Sequence, residues 1–98
     1  MQRPEIVEKL RAHRAELRAA GIVHLRLHGS VARGEASADS DVDLIAEFES
    51  GRRLTLLDMV RIENRLHDLL GMPVDLSPSN TLRESVRRRA EREAVVAF

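Results

Sequence analysis

The sequence predicts an α/β fold, with a small sheet of three to four strands and helices packed mainly on one face. Three observations predict it. Apolar residues recur at helical spacing in two segments, two others alternate apolar and polar residues with the period of a strand, and turn-forming Gly and Pro residues punctuate the boundaries. The resulting order, α-β-α-β-α-β-α with a short apolar tail, is that of a sheet covered by helices.

The first helix is expected over residues 4–20. Pro4 suits a first helical turn, Gly21 suits the C-terminal cap, and Ile6, Leu10 and Leu17 share one face. His13 lies on the same stripe and reads as a packed or partly exposed helix residue, because no second ligand stands four residues on. Val23, Leu25 and Leu27 then alternate with His24, Arg26 and His28, predicting a strand with one core face and one polar face. Residues 29–40, rich in Gly, Ser and Ala, read as a turn with one short helix, and residues 42–48 as a second strand. Thr55 and Asp58 form a capping-box-like pair at the start of the middle helix, which Gly71 closes ahead of Pro73. Residues 74–77 read as a third strand. Thr81 and Glu84 predict a second capping box, opening a last helix that ends near Arg92, and residues 94–98 read as an edge strand or a partner-docking tail.

Composition narrows the function. Ninety-eight residues suit one domain spanning residues 1–98 and bury only ~60–70% of the unfolded surface, so a partner could add stability. The absence of cysteine rules out a disulfide framework and thiolate metal sites, leaving oxygen or histidine as ligands. No signal core and no bilayer-length apolar run is visible, so a soluble cytoplasmic protein with no membrane partner is expected. Sixteen basic and sixteen acidic residues cancel, and two aromatic residues offer almost no stacking platform, which argues against long nucleic acid as the main ligand. Lys9 is the only lysine and a weak candidate for covalent catalysis.

The chemistry concentrates between His28 and Leu44. Alternate residues of a strand face the same way, so Asp41 and Asp43 project side by side while Val42, Leu44, Ala46 and Phe48 turn to the core. Two carboxylates ~5 Å apart repel by about 3 kcal/mol at an effective dielectric near 20, and a divalent cation relieves that repulsion. Oxygen ligands suit Mg²⁺, which takes one or two carboxylates plus substrate phosphates. Gly29 and Ser30 sit where the first strand ends, with a glycine that permits close backbone approach and a hydroxyl that suits phosphate oxygens. Asp75, flanked by Val74 and Leu76, adds a further carboxylate if its strand lies beside the second, placed to accept a proton from an attacking hydroxyl. Arg33 could reach phosphate or pair with Glu35; the sequence leaves both open.

Gly29-Ser30, ten intervening residues and then Asp41-Val42-Asp43 resembles the signature of the DNA polymerase β-like nucleotidyltransferases. The local form Gly29-Ser30-Val31-Ala32-Arg33-Gly34-Glu35, followed by Ser40-Asp41-Val42-Asp43-Leu44, is similar to the minimal nucleotidyltransferases, which act as antitoxins of HEPN-domain toxins. The resemblance covers almost the whole chain and implies a small nucleotidyltransferase fold with a mixed sheet. It implies metal ligation by Asp41, Asp43 and Asp75, triphosphate binding at Gly29 and Ser30 with Arg33 as a further contact, Mg²⁺ as cofactor and ATP as nucleotide donor. It further implies transfer of AMP to a tyrosine hydroxyl of a HEPN toxin. The alternative is an antitoxin that neutralises its partner by binding, with catalysis weak or absent; nucleotide transfer to an antibiotic is disfavoured for want of a drug-holding domain, and a homo-oligomer stays open.

Two other patterns are set aside. Asp39, Asp41 and Asp43 alternate as the first ligands of an EF-hand would, but Leu44 stands where the loop needs Gly and Ser50 where it needs Glu. Arg83, Arg87, Arg88, Arg89 and Arg92 are interleaved with Glu84, Glu91 and Glu93, which reads as a solvated helix face rather than an RNA surface.

Overall fold

The computed structural model describes residues 2–34 and 41–98. The chain runs α1 (Arg3–Ala12), α2 (Arg14–Ala19), β1 (Ile22–His28), α3 (Gly29–Ala32), β2 (Val42–Phe48), α4 (Leu56–Leu70), β3 (Val74–Pro78), α5 (Glu84–Glu93) and β4 (Val95–Val96), with a 3-10 turn at Ser79–Thr81 before α5. The described strands form one mixed sheet in the order β3-β2-β1-β4, in which β1 is antiparallel to both β2 and β4 while β2 and β3 are parallel. The parallel pair requires a crossover, and α4 supplies it.

One face of the sheet carries the core. Leu25 and Leu27 of β1, Val42, Leu44 and Ala46 of β2, and Val74 and Leu76 of β3 pack with Ile6, Leu10, Leu17, Leu66 and Leu70 from the helices. Burying each such aliphatic side chain contributes about 1.5–3 kcal/mol, so α1, α2 and α4 are held by this stripe more than by helix propensity. Caps fix the limits of α4: the Thr55 hydroxyl accepts from the Asp58 amide at 3.1 Å, the Asp58 carboxylate accepts from the Thr55 amide at 2.9 Å, and Gly71 ends the helix at φ 64°.

Three local expectations change, and for the tail the edge-strand alternative holds. The first helix divides at His13 (φ −104°, ψ 16°), whose amide is shared between the Lys9 and Leu10 carbonyls, a bifurcated bond that tightens the turn. Val23 faces solvent and Ile22 takes the core position, because the β1–β2 register shifts between Ile22 and His24. The Thr81 hydroxyl donates to the Pro78 carbonyl at 2.9 Å instead of capping α5, which starts at Glu84 after an N-cap Arg83 with no side-chain bond. The tail becomes edge strand β4, with Ala97 buried and the Ala97 carbonyl accepting from Arg11 Nε at 2.6 Å.

Candidate active site

β1 delivers His28 to the end of the sheet, where the chain turns at Gly29 into the single turn of α3. Gly29 has φ +76°, a left-handed conformation that costs other residues energy. A Cβ added there would collide with the Asp43 carboxylate. The glycine therefore serves two needs: the reversal of the chain and the close seating of an acidic group from the neighbouring strand. Ser30 follows, half-buried in the first turn of α3.

The strand register assembles the rest. Asp43 stands opposite His28 across the β1–β2 ladder and opposite Asp75 across the β2–β3 ladder, so it is the middle member of a row running over three strands. In-register residues of adjacent strands lie about 4.8 Å apart and point to the same face. Asp41 is exposed immediately before β2, and the Val42 amide donates to the Pro73 carbonyl at 2.9 Å, which ties the start of β2 to β3 at the level of the site.

Electrostatics follow from this crowding. Partial burial raises the Asp43 pKa first, the Asp75 charge raises it further, and Asp41 adds to the effect; His28 and Arg33 oppose it. A half-buried carboxylate flanked by others gains from an added cation. Among the described residues, no group of three or more His, Asp or Glu side chains is placed to hold a metal ion together. An ion held here would draw remaining ligands from water and substrate oxygens.

Arg33 leaves the end of α3 and lies 3.6 Å from the Glu93 carboxylate of α5, while the Ala32 carbonyl accepts from Arg3 Nη1 of α1 at 2.9 Å. The short turn that carries Gly29 and Ser30 is thus braced from both ends of the chain. Glu35, the partner weighed for Arg33 in the sequence, and Asp39 lie outside the described residues. The structure brings Gly29, Ser30, Asp41, Asp43 and Asp75 to one end of the sheet, with Arg33 close enough to act on Asp43.

Sequence reasoning passed over two neighbours. His28 was placed on the polar face but given no part, yet it pairs with Asp43 and buries Nδ1 without a hydrogen-bond partner among the described residues. Its position directly before Gly29 was the available signal. Glu93 carried no local signal, since its contact with Arg33 spans sixty residues of chain.

The nucleotidyltransferase domain family matches residues 7–97. The chain belongs to that family. This nucleotidyltransferase is 39% identical over 92 residues to the protein adenylyltransferase MntA of Thermococcus cleftensis, covering 93% of the present chain and 91% of that relative. A solved structure provisionally described as a minimal nucleotidyltransferase superposes with a TM-score of 0.82 at 40% identity, over 97% of this chain and 95% of that one. A chain from the complex of the tri-AMPylated Shewanella oneidensis HEPN toxin with its MNT antitoxin shares the fold, with a TM-score of 0.67 at 14% identity and coverage of 94% and 71%. The resemblance read from Gly29-Ser30 and Asp41-Val42-Asp43 holds across the nucleotidyltransferase as a whole. Among the described residues no helix is long and apolar enough to cross a membrane.

Proposed function

We propose that this nucleotidyltransferase transfers AMP from Mg²⁺-bound ATP to a hydroxyl on a partner protein, acting in the cytoplasm as the antitoxin of a HEPN-type toxin, with residues 1–98 working as one catalytic domain. The observation that carries the reading is the in-register placement of Asp43 between His28 and Asp75, with its carboxylate seated against Gly29. Asp41, Asp43 and Asp75 offer only oxygen donors, as Mg²⁺ prefers, and would hold the ion through one or two carboxylates at a time, with substrate oxygens completing its shell. When bound, that ion neutralises phosphate charge and orients the triphosphate.

The chain's own groups then have distinct parts. Gly29 and Ser30 bind the outgoing phosphates, and Arg33 adds positive charge at the same end. Asp75 takes the proton of the attacking hydroxyl as its oxygen bonds to the α-phosphorus; the bond from that phosphorus to the α–β bridging oxygen breaks, and pyrophosphate leaves with its electron pair. General-base help of this kind contributes about 10²–10⁴-fold. Asp75 is exposed on β3, an edge strand of the described sheet, which suits an acceptor presented by another protein.

Labelled ATP tests the reading. With Mg²⁺ and a candidate HEPN-domain partner, label on the α-phosphorus should move to the partner and label on the γ-phosphorus should not. Transfer of the γ-label, or of neither, would overturn it.

A further inference from the structure

Glu93 is the last residue of α5, far from Arg33 in the chain, yet its carboxylate stands 3.6 Å from Arg33 Nη1. We propose that Glu93 is a positioning residue for triphosphate binding, which holds the Arg33 guanidinium beside the Gly29-Ser30 turn and keeps it from collapsing onto Asp43. The inference rests on the transferase reading above.

The backbone under Arg33 is fixed without help from Glu93. The Arg33 amide donates to the Gly29 carbonyl at 3.2 Å, the Gly34 amide to the Val31 carbonyl at 3.1 Å, and Arg3 Nη1 to the Ala32 carbonyl at 2.9 Å. The side chain needs its own restraint, because a partly exposed arginine has a long flexible stem whose ordering costs rotamer entropy. Two carboxylates compete for it. Burial and then the Asp75 charge raise the Asp43 pKa, and Arg33 is near enough to offset part of that rise. An arginine drawn fully onto Asp43 is lost to the phosphates and neutralises a carboxylate that a cation needs. Glu93 supplies a rival counter-charge, from a helix that carries none of the site's carboxylates.

The end of α5 is a firm support for that pull. Ala90 is buried one turn earlier, the Ala94 amide donates to the Ala90 carbonyl at 2.7 Å, and the chain then enters β4, where Val95 and Val96 pair with Leu27 and Arg26 of β1. The guanidinium has five N–H donors in a planar fork, and an ion pair at Nη1 does not exhaust them. One edge can meet Glu93 while another turns to phosphate oxygens. The arrangement also sets a negative charge near the triphosphate, but the Glu93 carboxylate is partly exposed, so solvent and salt screen that repulsion.

Calorimetry on the full chain with Mg²⁺ tests this with two probes, AMP-PNP and inorganic tripolyphosphate. Glu93→Gln should weaken both by about three- to fivefold, near the upper reach of an exposed ion pair, and by the same factor, because Arg33 meets phosphates and not the nucleoside. In an Arg33→Gln background the same substitution should change neither affinity, since Glu93 acts only through the arginine. Glu91→Gln, which removes a charge of the same helix that is paired with Arg87, should bind both probes as the wild type does. Affinity unaltered or tightened by Glu93→Gln, an equal loss in the Arg33→Gln background, or the same loss from Glu91→Gln would overturn the role of Glu93 while the triphosphate site stands. A wild-type chain that binds neither probe would overturn the triphosphate reading and this inference with it.

Discussion

At the scale of single residues, Asp43 carries an electrostatic cost of folding at neutral pH. Folding raises its pKa through burial and through Asp75, so the native state favours the protonated form. The stability linked to this group is present below its unfolded value near 3.9 and lost as pH rises through the raised native value, which leaves neutral pH on the unfavourable side. Asp43→Asn should therefore melt higher than wild type at pH 7, with the difference closing as pH falls toward about 4; a variant no more stable at pH 7 would contradict the electrostatic account. Gly29→Ala combines a left-handed φ with displacement of the Asp43 carboxylate, and a cost of about 1–3 kcal/mol is expected in chemical denaturation. An unaltered midpoint would show that the turn is freer than its geometry indicates. Asp75→Asn should lower single-turnover transfer about 10²–10⁴-fold at saturating ATP and Mg²⁺ while nucleotide affinity largely survives. A change under threefold would reduce the site to two carboxylates.

At the scale of elements, strong local signals were legible, while distant pairing and competing local hydrogen bonds were not. The α4 caps at Thr55, Asp58 and Gly71 and the buried side of β2 follow from short-range signals, and the structure has them. The bulge that turns Val23 outward depends on strand register, which a propensity pattern does not contain, whereas the break at His13 and the capture of the Thr81 hydroxyl by Pro78 are local alternatives to the expected helix geometry. Ile45 shows the same limit: it shares the face of Asp43 and reads as polar-side, yet α5 covers it. The candidate site was legible as residue types at a spacing, and the structure adds the register that sets Asp43 against Asp75. The arginine-rich α5 is a solvated face in which Arg88 meets Glu84 at 3.1 Å and Arg87 meets Glu91 at 3.5 Å; such exposed pairs contribute little to stability. For α4, Thr55→Ala removes a cap worth about 1 kcal/mol and should lower the melting temperature by roughly 4–8 °C. Transfer at low temperature should not change, and a loss of activity there would mean that α4 couples to the site.

At the scale of the whole molecule, β3, which carries the exposed Asp75, is the edge strand of the described sheet, and in the proposed reading that edge faces the acceptor. A partner protein closes that side in the present account, and it is modified as it binds. The rival account keeps the partner and removes the chemistry, with neutralisation by occlusion alone. Intact-mass measurement of a candidate HEPN-domain partner separates them most directly, after incubation with ATP, Mg²⁺ and either the wild-type chain or Asp41→Asn. The account predicts a gain of one or more AMP groups with the wild type and none with the variant, although both bind the partner. A partner that stays unmodified in a tight wild-type complex, or one equally modified by the variant, would contradict it.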